Sequence, residues 1–317
     1  MKFSHLPKFI GLLLSVSAIP AEAVILYGAD NSANLIAPVN GLPFDAVARV
    51  SSLLGIQDGG SGVHLGGGFM LTAAHISNSE LNTVTFDGTT PYSRDLTYVP
   101  QQIGTADLKV FKLTAVPTVE AANLYTGTSE MSYGASLVGW GRGRVEGSAL
   151  NTDTVPVAGG GTPLVKRWGT NDPSRTISNF NYSSYTFNAL ETVLGNVSGN
   201  PNNDGTGDFE AAATPRDSGS GLFQEIGGTW YLTGLTSAIL QQSSGNVTYG
   251  NDVPWSGTTP AGFSAPAGTG DPNIFVRVTS YADDINALLP IPEPSSSLLF
   301  LCASLLGVMR RSRPLGV

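Results

Sequence analysis

Apolar residues recur along this chain in short runs separated by clusters of Gly, Ser, Thr, Asn and Pro. Runs rich in β-branched and aromatic residues are Phe69–Thr72, Val84–Phe86, Leu108–Leu113, Leu137–Trp140, Trp230–Thr236 and Ile274–Val278. Their length and flanking turn residues predict β-strands, and their spacing predicts an all-β sandwich or barrel. The 39 glycines and 20 prolines fit many tight turns. One helix is predicted near the end of this region. Ser280 is its expected cap, Asp283 and Asp284 sit near its start, Ile285, Leu288 and Leu289 form its apolar face, and Pro290 stops it. The stretch from Glu146 to Gly205 is rich in Gly, Asn, Ser and Thr and reads as long loops. No internal repeat is present.

Both ends carry a different pattern. Lys2 and Lys8 precede and flank an apolar run from Phe9 to Ile19, which Pro20 and Ala21-Glu22-Ala23 follow. A basic start, a short apolar run and a small-x-small site make a secretory signal peptide over 1–23, cut after Ala23 to leave Val24 first. At the other end, Pro292-Glu293-Pro294 leads through serines to an apolar run, Leu298 to Met309, and then to Arg310, Arg311 and Arg313. This layout over 291–317 resembles the PEP-CTERM sorting signal of Gram-negative bacteria. The resemblance implies export to the cell surface or medium, transient membrane association through the tail, and removal of the tail by a sorting peptidase. Arginines after an apolar segment agree with that, because they hold the end on the cytoplasmic side.

The folded part is therefore expected over 24–290. Charged residues are 13% of the chain, the net charge is −8 and no basic stripe occurs, so nucleic acid is not an expected partner. The single cysteine, Cys302, lies in the tail. Residues 24–290 thus hold no thiol, which excludes disulfides, cysteine nucleophiles, zinc–thiolate sites and redox dithiols there.

Once 1–23 is removed, only His64 and His75 remain of three histidines. Any mechanism that needs an imidazole base near neutral pH must use one of them. His75 ends the string Gly66-Gly67-Gly68-Phe69-Met70-Leu71-Thr72-Ala73-Ala74-His75, in which a short strand and two small residues deliver the ring. Pro215-Arg216-Asp217-Ser218-Gly219-Ser220-Gly221 is a tight acidic serine loop, able to aim backbone amides at a developing oxyanion. Asp107 heads the apolar strand that runs to Leu113. A buried acid there can orient an imidazole. Taken singly, each of these is also ordinary turn or strand-end chemistry.

Together and in this order, the strings resemble the trypsin-like serine proteases. The likeness runs from Ser61-Gly62-Val63 to Thr72-Ala73-Ala74-His75, then through Asp107-Leu108, Gly139-Trp140-Gly141, Asp217-Ser218-Gly219, Gly234-Leu235-Thr236-Ser237 and Ile274-Phe275-Val276-Arg277-Val278. It implies two antiparallel β-barrels, divided near 125–135, with a closing helix and an active site between them. It implies a catalytic triad of His75, Asp107 and Ser218, an oxyanion hole from the amides of Arg216 and Ser218, a protein or peptide substrate, and no cofactor. Chain order excludes an α/β-hydrolase, whose histidine follows its serine, because no histidine follows Ser218.

The chain departs from the family pattern in places. Arg216 stands where the family has glycine, and Ala212 where trypsin has its basic-residue-selecting aspartate. With Ser237, Ile239 and Asn273 as the other substrate-lining positions, the expected preference is for small or apolar side chains before the scissile bond. Val24-Ile25-Leu26 resembles the inserting N-terminus of many relatives, so an activating pair between Val24 and Asp217 is expected. Asn200, Asn202, Asp204 and Asp208 approach the spacing of a calcium loop, which turn chemistry explains equally well. A non-catalytic binding or matrix protein on the same scaffold is the alternative, with Arg216 its main support.

Overall fold

The computed structural model describes residues 24–26, 32–53, 58–141, 155–156, 164–193, 209–214, 216–239, 248–249 and 272–289. The first sheet is antiparallel and built from β1 (Val47–Ser51), β2 (Asp58–Gly66), β3 (Phe69–Thr72), β4 (Thr83–Thr85), β5 (Pro91–Ser93) and β6 (Lys109–Lys112). They pair in the order β5-β4-β1-β2-β3-β6, and a seventh, two-residue strand at Gln101–Gln102 pairs with the start of β6. An isolated bridge between Arg94 and Leu113 then joins the end of β5 to the end of β6, and the sheet closes on itself. Closure removes the unpaired edges that a flat sheet would present.

The second sheet contains β7 (Ala135–Gly139), β8 (Arg167–Asn171), β9 (Pro173–Tyr182), β10 (Tyr185–Val193), β11 (Gly221–Ile226), β12 (Thr229–Ile239) and β13 (Pro272–Arg277). Its order is β8-β7-β11-β12-β13-β10-β9. Only Asp172 separates β8 from β9, so one bent strand pairs with β7 at its start and β10 at its end, and this sheet closes too. Two closed antiparallel barrels and a C-terminal helix are the architecture expected from the sequence.

Alternation along the strands builds the core. One apolar cluster includes Val63, Leu71 and Val110 of the first barrel with Phe223, Leu235 and Val276 of the second. Burial of this shared cluster holds the barrels side by side. A separate cluster of Val50, Met70, Val84 and Phe111 belongs to the first barrel.

Two sequence expectations need correction. Part of the stretch expected as loops is strand: β8, β9 and β10 occupy 167–193. Thr, Ser and Asn occupy the half-exposed face of these strands, while Phe180, Phe187 and Ala189 are buried. The polar face hides the alternation from composition alone. The helix α1 spans Ala282–Leu288, preceded by a 3-10 turn over Val278–Tyr281. Ser280 lies inside that turn and Tyr281 takes the N-cap position without a side-chain cap. Ile285 is fully buried as expected, and Leu288 and Leu289 pack partly against the core.

The Gly-Trp-Gly string acquires a structural reason. A Cβ on Gly139 would lie 2.2 Å from an Asp217 carboxylate oxygen and 2.1 Å from the Ser220 hydroxyl. A Cβ on Gly141 would lie 2.4 Å from the Asp217 carboxyl carbon. Both glycines therefore make room for one buried acid. Trp140 between them is buried, donating its backbone N–H to Ser61 Oγ at 2.9 Å and its indole N–H to Val47 O at 3.2 Å. It ties the second barrel to the first.

Candidate active site

The end of β3 and the turn after it carry His75, and the lead into β6 carries Asp107. His75 N donates to one Asp107 carboxylate oxygen at 2.8 Å, and His75 Nδ1 lies 2.7 Å from the other. Asp107 is fully buried, whereas the imidazole is 31% exposed. A third donor, the Ser237 hydroxyl in β12, reaches Asp107 Oδ2 at 2.6 Å. Three hydrogen bonds offset much of the desolvation of a buried carboxylate. They also leave Nδ1 as the protonated nitrogen, so Nε2 faces outward as an acceptor.

His75 Nε2 lies 2.8 Å from Ser218 Oγ. The structure thus brings His75, Asp107 and Ser218, far apart in sequence, into one chain of hydrogen bonds. The other histidine, His64, is 2% exposed in β2, with Nδ1 3.4 Å from Glu120 O and its ring edge-on to Phe86. Burial lowers its pKa. His64 belongs to the first barrel's packing.

The Ser218 loop is bound from both barrels. Asp217 N donates to Thr214 O at 2.9 Å, Gly219 N to Thr236 O at 2.8 Å and Ser220 N to Asp217 O at 2.8 Å. From the first barrel, Ser61 N donates to Ser218 O at 2.7 Å. Gly219 has φ +83°, and a Cβ there would meet Ser61 O at 2.1 Å, so glycine is required. The expected oxyanion donors, the amides of Arg216 and Ser218, lie in this same loop.

Arg216 has φ 82°, in the left-handed region. The loop therefore takes a backbone path suited to glycine despite the side chain. Its Nη1 lies 4.0 Å from Glu80 Oε1, at a residue 42% exposed. The left-handed region costs a non-glycine residue roughly 1–2 kcal/mol. Glycine returns part of that through the freedom of the unfolded chain, roughly 0.5–1 kcal/mol. The exposed pair with Glu80 adds little. Arg216→Gly is expected to stabilise the fold by about 1 kcal/mol in urea unfolding. A less stable glycine variant would remove the case for strain at Arg216.

The expected substrate-lining residues lie close together. Ala212 is buried and pairs with Ile25, Ala213 N donates to Asn273 Oδ1 at 3.0 Å, and Ile239 pairs with Asn273 across β12 and β13. Asn273 Nδ2 is buried without a partner among the described residues. Ser237 gives its hydroxyl to Asp107, which leaves its backbone to face a substrate.

Val24 and Asp217 are brought together as well. Val24 N is 3.4 Å from Asp217 Oδ2, and both residues are fully buried. Asp217 also accepts from Thr214 N at 2.7 Å and from the Thr214 hydroxyl at 3.0 Å. Burial outweighs these bonds and pushes its pKa up to about 6. Asn200, Asn202, Asp204 and Asp208 lie outside the described residues, and among the described residues no acidic or histidine cluster could hold a metal ion.

Tyr182 is a neighbour of the site with no signal in sequence. Its ring lies edge-on to His75, with centroids 6.4 Å apart. Burial and the nearby Asp107 charge raise the pKa of its hydroxyl.

Residues 290–313 match the family model described as the PEP-CTERM protein-sorting motif. The chain therefore carries a signal for export to the surface or medium of a Gram-negative bacterium, read by a system that acts on the C-terminus. No curated protein matches the chain. Among solved structures it is similar to the Rv3671c protease in an inactive form, at 13% identity over 78% of this chain and 91% of that one, with a TM-score of 0.43. An inactive serine-to-alanine mutant of Rv3671c from M. tuberculosis H37Rv is similar at 14% identity over 81% and 94%, with a TM-score of 0.45. Neuropsin, a serine protease expressed in the limbic system of mouse brain, is similar at 14% identity over 80% and 97%, with a TM-score of 0.47.

Proposed function

We propose that this protein is an exported serine endopeptidase that works through an acyl-enzyme. The observation that carries the reading is the continuous hydrogen-bond chain from Asp107 through His75 to Ser218, at 2.7 and 2.8 Å. His75 Nε2 takes the Ser218 proton as Oγ attacks a peptide carbonyl, and Asp107 holds the imidazole and stabilises its charged form. The amides of Arg216 and Ser218 receive the oxyanion. His75 then returns the proton to the leaving amine, the C–N bond breaks, and water, activated by the same imidazole, releases the acyl group and restores Ser218.

The substrate path follows from β12. Its pairing with β11 ends at Leu235, while β13 continues to pair at Ala238 and Ile239. Among the described residues no strand pairs with the other edge of 237–239. An extended peptide adding to that edge gains backbone hydrogen bonds and passes Ser218. The side chain before the scissile bond then faces Ala212, Ile239 and Asn273, which leave room for a small or apolar residue. The tail adds transient membrane association until a sorting peptidase removes it, and Val24 supplies the activating amino group once 1–23 is cut away.

A fluorophosphonate probe tests the central claim. Wild-type protein is expected to label and Ser218→Ala is not. Absence of labelling in folded, correctly cut protein favours the non-catalytic binding protein instead. Peptide-library cleavage dominated by arginine before the scissile bond would overturn the small-or-apolar preference.

A further inference from the structure

The hairpin of β9 and β10 turns at Ser183–Ser184, with Ser183 at φ 54° and Tyr182 paired to Tyr185. Its tip reaches the first barrel. Thr186 N donates to Thr105 O at 3.0 Å, and the Thr105 hydroxyl donates to Thr186 O at 2.8 Å. Thr105 stands two residues before Asp107, so this reciprocal pair fixes the hairpin tip beside the acid that holds His75. Behind the tip, the Phe180 and Phe187 rings pack at a tilt, with centroids 5.4 Å apart, within the core. The placement of Tyr182 is therefore anchored at both ends of the hairpin tip.

Two residues near Asp107 in the chain or beside Ser237 are small. Gly104 precedes Asp107 in the tight turn closed by Ala106 N to Ile103 O, and nothing lies within 4 Å of where its Cβ would be. Ala238 follows Ser237, whose hydroxyl bonds Asp107. Among the described residues, the aromatic ring paired with the imidazole is that of Tyr182. Side chains of an extended peptide alternate between faces. If the residue before the scissile bond faces Ala212 and Asn273, the one before it faces His75 and the Tyr182 ring.

We propose that Tyr182 is the wall of the subsite for the second substrate residue before the scissile bond, and that it restricts this residue to small side chains. The inference rests on the endopeptidase reading. Tyr182 acts on the shape of the cleft and takes no part in bond breaking.

The test uses the full chain after export and internally quenched peptides that differ only at that residue, carrying Gly, Ala, Leu or Phe. Wild-type kcat/KM is expected to favour Gly and Ala over Phe by about tenfold or more, as a closed pocket discriminates by size. Tyr182→Ala is expected to shrink that ratio to about threefold or less, chiefly by improving the Phe peptide. Tyr182→Phe keeps the ring and should keep the ratio, and Tyr182→Leu should fall between them if Tyr182→Ala does not fold. A wild type without size discrimination overturns the inference. So does a Tyr182→Ala enzyme slowed equally on all peptides, since that is the signature of a residue that only positions His75. Ser218 labelling runs in parallel: labelling with an unchanged ratio overturns the wall alone, whereas neither labelling nor cleavage overturns the endopeptidase reading with it.

Discussion

His75→Ala and Ser218→Ala are each expected to reduce peptide hydrolysis by about a million-fold, and the double variant by no more than either one. The non-additivity follows from the geometry. Among the described residues, the base within reach of Ser218 Oγ is His75 Nε2 at 2.8 Å, and without it the hydroxyl is a poor nucleophile. Once either group is gone, removing the other takes away nothing further. Asp107→Asn should cost less, on the order of 10,000-fold, because the amide can still fill the space but presents the wrong hydrogen-bonding group to Nδ1. All three variants should unfold at similar denaturant concentrations to wild type if their role is chemical. Single-turnover kinetics on an activated ester and on a peptide checks the order. Equal residual rates in wild type and Ser218→Ala would mean that this serine is not the nucleophile.

Residues added before Val24 are expected to abolish activity, and Asp217→Asn in the correctly cut protein to lower it by about 100- to 1,000-fold, the scale of losing one member of a buried pair. In the uncut chain, Val24 N is an amide and offers Asp217 a hydrogen bond without a charge. The carboxyl is fully buried and its pKa stands at about 6, against an ordinary 3.8. A raised acid pKa favours the protonated form in the fold. Its contribution to stability is complete below pH 3.8 and is lost as pH rises through 6. That loss amounts to ~3 kcal/mol. Val24 also has φ 41°, a strained value for a β-branched residue. Cutting before Val24 removes the preceding carbonyl that creates this strain and turns the amide into an ammonium that balances Asp217.

The uncut protein should therefore lose stability between pH 4 and pH 7.5 relative to its own Asp217→Asn variant, and the cut protein should lose much less. Urea titrations of the four proteins across that range read the difference directly. Full activity with residues retained before Val24 would overturn the pairing, as would identical pH dependence of the uncut protein and its Asp217→Asn variant.

Much of the site was legible in the chain because its chemistry is scarce. With His64 and His75 as the candidate bases and no cysteine in 24–290, few mechanisms were open. The string ending at His75, the acid before Leu108 and the Asp-Ser-Gly loop each sit next to a local strand or turn signal. Those signals depend on neighbours in sequence, so they survive without a fold. The strands at Phe69–Thr72 and around Trp230 were legible for the same reason, as each is a short apolar run bounded by turn residues, the mark of a buried strand.

The rest depended on contacts across long sequence separations. Ser237 read as part of a substrate-lining strand, yet its hydroxyl is spent on Asp107, 130 residues away. Gly139 and Gly141 read as a motif, and only packing shows that both clear space for the Asp217 carboxyl. The polar β9–β10 hairpin read as loop, so Tyr182 could not be placed beside His75 before strand pairing brought it there. Arg216 read as an obstacle, and only the folded backbone shows it in the left-handed conformation that the loop requires. The sequence by itself determined the residue types, the local strand pattern and the sorting tail, because these are properties of short segments. Tertiary structure alone decided which donors reach Asp107, how the barrels close and what stands beside the imidazole, because those depend on register and burial between segments that no local pattern encodes.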